Sequence, residues 1–241
     1  MNQYVIGRIR FQSLYWLSDG LPLRRAIKKV RKFMDRYVKL AIDHHNLGIA
    51  EAKKTSLLDN LATQTQDKEE MRNQVTALLL AGRDTTSALL GWSFVRLALH
   101  PDTFQKLRDV VLNEFQTDED LTFAKLKGCR YLQHFLQEIL RLHPTVPVNQ
   151  RNAARDTTLP VGGGPDGKSP VAVRKGQTMF YSVYVMHRRK DLWGEDALEF
   201  KPERWEQRYP AWQFLPFNGG PRICLGKKKT IFVNEIQADK R

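Results

Sequence analysis

Phe217-Asn218-Gly219-Gly220-Pro221-Arg222-Ile223-Cys224-Leu225-Gly226 is the stretch on which the reading of this chain turns. Its glycines and its proline exclude a regular helix or strand and leave a loop that carries one cysteine. An isolated cysteine in such a loop is ordinarily a small buried apolar residue. The neighbours argue for more. Glycines let a flat ligand approach the main chain closely, and an arginine two residues before the cysteine can neutralise a carboxylate.

Working outward, the 241 residues are 41% hydrophobic and 10% aromatic, enough for a globular core. There is no uncharged apolar run of roughly 20 residues, and the N-terminus MNQYVIGRIRFQ lacks the apolar stretch of a signal peptide. As written, the chain is therefore expected neither to span a membrane nor to enter the secretory route. Cys129 and Cys224 stand far apart with no C-x-x-C, so neither a disulfide framework nor a zinc site is suggested.

The net charge of +13 is concentrated in Arg24, Arg25, Lys28, Lys29, Arg31, Lys32, Arg36 and Lys39. Ile27, Val30, Phe33, Met34, Tyr37, Val38 and Ile42 recur at helical spacing through the same segment, which puts the basic residues on the opposite helix face. That face is open to three readings: a solvated surface, a surface for anionic lipid, or a surface for an acidic partner protein. Nucleic acid is disfavoured, because no recognition motif accompanies the charge.

After the polar stretch TQTQDKEE a second helical pattern runs for roughly 33 residues until His100-Pro101 stops it. Its centre, Ala81-Gly82-Arg83-Asp84-Thr85-Thr86, breaks local helix preference, since glycine costs about 1 kcal/mol against alanine and Asp and Thr compete for backbone hydrogen bonds. By itself this marks either a close helix crossing or a ligand site. Pro101 opens a helix through PDTFQKLRDVVLNEF, and residues 131–142 form another, with Glu138 and Arg141 at i and i+3 on one face. Beyond Pro147 strands are expected over 171–173 and 179–186. Gly162-Gly163-Gly164-Pro165-Asp166-Gly167 reads as a hairpin turn rather than a phosphate cradle, because no Gly-Lys-Ser/Thr and no helix follow it.

A thiolate ligand to haem iron needs a cysteine whose backbone surroundings donate hydrogen bonds to sulfur and whose glycines admit a porphyrin plane. The 217–226 stretch fills every fixed position of F-x-x-G-x-R-x-C-x-G, and in this it resembles the haem-binding signature of the cytochrome P450 family. The resemblance implies a mainly α fold with a small β part, and Cys224 as the iron ligand of haem b, iron protoporphyrin IX. Phe217, Gly220 and Gly226 would line the loop. Arg222, and Arg151 ten residues after Arg141, would pair the haem propionates, the plain alternative for each being a surface arginine. The 81–86 stretch is similar to the family's A-G-x-D-T-T, which implies that Gly82 leaves room for dioxygen and that Asp84 and Thr85 steer protons to it. Glu138-x-x-Arg141 is similar to E-x-x-R. Arg204, in Pro202-Glu203-Arg204-Trp205, supplies the third member of a buried network, with tryptophan where the family has phenylalanine.

The texture of residues 162–205 resembles fungal microsomal enzymes that hydroxylate n-alkanes and fatty acids. The reaction implied is insertion of one oxygen atom of O2 into a C–H bond of a hydrophobic small molecule, with electrons from NADPH through a separate NADPH-cytochrome P450 reductase, at the endoplasmic reticulum membrane. Departures from the family shape the expected organisation. Residues 1–66 read as a partial helical region, 67–226 as the C-terminal core with the haem-binding loop, and 227–241, beginning Lys227-Lys228-Lys229, as a tail unlike the family's apolar helix. Members are roughly twice this length. Their membrane anchor, early helices and W-x-x-x-R helix are not matched here, so a second expectation stands beside the first: a catalytically inactive fragment or interaction remnant.

Overall fold

The computed structural model describes residues 14, 16, 19–48 and 57–226. The tail set apart at 227–241 lies outside them. Helix makes up 58% of the structure, and among the described residues the strands form two small antiparallel pairs, so the expected mainly α class with a small β part holds. The chain divides into two compact units, residues 1–81 and 82–241.

In the first unit, α1 (Leu21–Asn46) starts with Pro22 in its first turn, where a missing N–H costs nothing. Of its apolar stripe, Met34, Val38 and Ile42 are buried, and Val38 and Ile42, with Ala41, pack on Ala62 of α2 (Leu57–Ala62) and on Met71. Val30, Phe33 and Tyr37 remain exposed, because the single short helix α2 covers less than the full width of the stripe. The long helix α3 (Lys68–Leu99) opens in this unit. Asp67 caps it, Oδ1 accepting the backbone N–H groups of Glu69 and Glu70 at 2.8 and 3.3 Å. Its 32 residues match the expected length, and Pro101 begins the next helix as expected.

The second unit contains the rest of α3, then α4 (Pro101–Glu114), α5 (Phe123–Gly128) and α6 (Arg130–Leu142). Leu89 of α3 and Phe135, Ile139 and Leu140 of α6 form its core, joined by Phe200, Phe214 and Phe217. β1 (Val148–Asn152) pairs antiparallel with β4 (Thr178–Ser182), and β2 (Thr157–Gly163) with β3 (Ser169–Val173). The 162–167 turn closes the second hairpin with a Gly162 N–H to Gly167 O bond of 2.8 Å, and Gly162, Gly164 and Gly167 have positive φ that side-chain-bearing residues rarely adopt. The strand expected over 179–186 ends at Ser182. There Ser182 Oγ accepts the backbone N–H of Val185 at 3.2 Å and caps a single helical turn, α7 (Val183–Met186). A short helix, α8 (Lys190–Trp193), and a single turn at Pro202–Glu206 lead to the cysteine loop.

Candidate functional site

The face of α6 that carries Glu138 and Arg141 is turned fully inward, and both side chains are 0% exposed. An i, i+3 pair on a helix is ordinarily a solvated surface feature worth a few tenths of a kcal/mol. Here residues 187–205 are packed over it. Glu138 Oε1 accepts from Arg141 Nη2, Arg204 Nε and the Lys201 backbone N–H at 2.8–2.9 Å. Oε2 accepts from Arg141 Nε at 2.8 Å and from the Trp205 indole N–H at 3.0 Å. The tryptophan that replaces phenylalanine thus adds a donor to the buried carboxylate that phenylalanine lacks.

Arg141 spends its remaining N–H groups on backbone carbonyls, those of His187, Ala197 and Glu199 at 2.6–2.9 Å. Arg204 reaches Asp196 Oδ1 at 3.1 Å and the Asp196 carbonyl at 2.9 Å. Every charge is met by an opposite charge or by carbonyl dipoles, the condition under which a buried ionic network holds. Trp193, Trp205, Tyr209 and Phe214 pack around it in edge-on and tilted pairs.

The network reaches the cysteine loop through His187. Arg141 fixes the carbonyl of His187, and the buried ring accepts the backbone N–H of Leu215 on Nε2 at 2.9 Å. Burial, and secondarily the neighbouring guanidiniums, push this imidazole down to about 4, so at neutral pH it is the uncharged acceptor that bond requires. From Leu215 the chain passes Phe217, whose ring packs on the Leu89–Phe135 core and whose carbonyl accepts the backbone N–H of Cys224 at 3.0 Å. Asn218 takes φ 60° and Gly220 φ 70° at the bend, and a single turn at Gly220–Arg222 delivers Cys224 to the surface. A Cβ built on Gly220 meets nothing within 4 Å, so the loop presents an open face. Gly226 follows, half-buried.

The other named residues lie on α3, on β1 and in the loop itself. Asp84 is exposed on α3 and pairs with Arg83 Nε at 2.8 Å, and Thr85 is half-buried beside it. A Cβ on Gly82 likewise meets nothing within 4 Å. Arg151, on β1, donates to the Gln150 carbonyl at 2.8 Å and lies 5.5 Å from the Tyr181 ring centre, while Arg222 is exposed. The basic residues of α1, Arg24, Arg25, Lys28, Lys29, Arg31, Lys32, Arg36 and Lys39, are all exposed. Cys129 is buried, which raises its thiol pKa and makes it the inert cysteine of the two.

The cytochrome P450 family model matches residues 9–228. The chain belongs to the cytochrome P450 family. It is 51% identical over 228 residues to cytochrome P450 monooxygenase alt2 of Alternaria solani, covering 92% of this chain and 42% of that protein. Cytochrome P450 52A10 of Candida maltosa is 47% identical over 93% of this chain and 45% of its own length, and cytochrome P450 52A1 of Candida tropicalis 43% identical over 92% and 42%. The chain therefore spans less than half the length of these P450 relatives.

The family implies haem iron and an electron-supplying redox partner, and the residues present fit such a group. Among the described residues no cluster of His, Cys, Asp and Glu could cage a bare metal ion. A lone exposed cysteine suits an iron that arrives with its own in-plane ligands, and the open side of Gly220 leaves the loop approachable by a flat ring. His187 and Trp193 carry no mark in the sequence, since nothing in HRRKDLWG shows which side chain turns inward. No helix among the described residues is long and apolar enough to cross a membrane.

Proposed function

We propose that this P450 chain carries the thiolate half of a monooxygenase site, with Cys224 as the ligand of haem b, acting on a hydrophobic substrate of the n-alkane or fatty-acid class. Haem, when bound, supplies activation of dioxygen for C–H oxidation. The observation that carries the reading is the braced loop: Cys224 is exposed, yet its backbone is tied to Phe217 and, through Leu215 and His187, to the buried Glu138 network.

Each residue then has a task. Cys224 Sγ would hold the iron as its thiolate ligand, and the loop would fix where that sulfur sits. Arg151 and Arg222 would serve as cations for the propionates. Asp84 Oδ1 and the Thr85 hydroxyl hold and hand on protons beside Gly82, a role worth typically 10²–10⁴-fold in rate for a positioned group. Electrons come from NADPH through the partner reductase, and the endoplasmic reticulum surface is the setting.

The test is hydroxylation of a fatty acid under isotope-labelled dioxygen, with reductase and NADPH. One labelled oxygen in the product supports the reading, and label-free product or product independent of haem refutes it. A second reading is favoured by a specific feature: Leu90, Trp92, Phe94 and Val95 of α3 are exposed together with Cys224 and Leu225. On it, the 241-residue chain ligates haem but admits water and turns over poorly. Retained cysteinate spectra without labelled product would select this reading.

A further inference from the structure

Beside the cysteine loop a short relay of side chains ends in a buried donor that has nothing to bond. Tyr181 on β4 donates its hydroxyl to Asn218 Oδ1 at 3.1 Å. In this arrangement the Asn218 amide turns its Nδ2 toward Asn149 Oδ1, at 3.4 Å. Asn149 in turn is left with Nδ2 pointing away from Asn218, and this nitrogen is buried without a hydrogen-bond partner among the described residues. A buried amide donor left unpaired costs about 1–3 kcal/mol, so such groups mark a missing acceptor.

Position says what kind of acceptor. Asn149 and Arg151 alternate on β1 and share its more covered face, roughly 7 Å apart along the strand. Across the ladder Asn149 faces Tyr181 and Arg151 faces Met179. Asn218 directly follows Phe217, whose carbonyl holds the Cys224 N–H. A neutral amide donor and a guanidinium side by side, one step from the ligand loop, suit an anionic oxygen.

We propose that Asn149 Nδ2 donates to a carboxylate of the haem, sharing with Arg151 the recognition of one propionate, and that Tyr181 and Asn218 aim it. The inference rests on the haem reading above and adds to it a binding residue outside the signature.

The test exploits an isosteric change. Asn149→Asp keeps an oxygen for Asn218 Nδ2 but replaces the free donor with a second acceptor. A residue that only braces Asn218 would tolerate it. The full chain is reconstituted with haem or with the iron protoporphyrin dimethyl ester, whose carboxylates are masked, and affinity is read from Soret titration and from the rate of haem transfer to apomyoglobin. Circular dichroism confirms folding, and Asn149→Ala is run through the same cycle should the aspartate variant fail to fold.

We expect Asn149→Asp to weaken haem binding roughly 10- to 100-fold, the worth of a hydrogen bond to a charged group. With the dimethyl ester the difference between wild type and variant should shrink to about twofold or less. Equal affinity for free-acid haem, or the same loss with the ester, overturns the proposal while the haem reading stands. Failure of the wild-type chain to bind haem at all removes the haem reading and this inference with it.

Discussion

Replacing Glu138 by glutamine changes almost no volume and isolates what the buried charge does. The carboxylate accepts on Oε1 from Arg141, Arg204 and Lys201, and on Oε2 from Arg141 Nε and Trp205 Nε1. A glutamine that keeps its oxygen at the first cluster turns its NH2 group toward Arg141 Nε–H and the indole N–H, donor against donor. Two stranded donors cost about 1–3 kcal/mol each. The guanidiniums of Arg141 and Arg204 then have only the Asp196 carboxylate of the network between them, and removing one partner from a buried ionic network costs about 3–5 kcal/mol. The first route gives about 2–6 kcal/mol and the second about 3–5 kcal/mol, so a loss of about 3–5 kcal/mol is expected. Urea unfolding of the second unit, followed by the fluorescence of Trp193 and Trp205 and by far-ultraviolet circular dichroism, measures it. Arg189→Met is the control, since the Arg189–Asp191 pair is exposed on both sides and such pairs contribute about 0–1 kcal/mol. If Glu138→Gln loses no more than that control, the network does not hold this unit together.

Trp205→Phe keeps an aromatic ring against Phe214 but removes the N–H to Glu138, and should cost about 1–3 kcal/mol in the same urea experiment, less than Glu138→Gln. A neutral outcome would mean that water or a shifted donor replaces the indole. His187 gives a pH dependence: its folded pKa of about 4 lies below the ordinary value near 6.5, so the unfolded chain binds the proton more readily and stability falls as pH drops through that window. The share due to His187 should reach about 2 kcal/mol near pH 5, and His187→Gln should remove that share, leaving the slope due to His143, which burial also pushes down to about 4. An unchanged slope in that variant would show that another group titrates there.

What could be read from residue order was whatever has a local cause. The length of α3 follows from an unbroken helical period closed by Pro101, and the 162–167 hairpin follows from glycines that alone tolerate its positive φ angles. The cysteine loop was legible because fixed residue types at fixed spacing carry it. Burial was not legible. Glu138 and Arg141 make an i, i+3 pair like any surface pair until residues 187–205 cover them, and that packing joins distant positions such as Arg204 and Glu138, 66 apart. The same reason hid His187, whose ring meets Leu215 only after the chain returns, and Asn149, whose orphan donor is visible only once Asn218 is placed. The strand expected through residue 186 failed at Ser182, where a side-chain cap outweighed the strand preference of Val183, Tyr184 and Val185.

The central assignment is Cys224 as the thiolate ligand, and one spectrum tests it most directly. The chain is reconstituted with haem, reduced, and exposed to carbon monoxide, alongside Cys224→Ser prepared in the same way. The wild-type chain should show the red-shifted Soret band characteristic of cysteinate-ligated haem, and the serine variant should lose that band while Cys129, buried in both, remains. If the serine variant keeps the cysteinate band, or the wild-type chain binds haem without it, Cys224 is not the ligand.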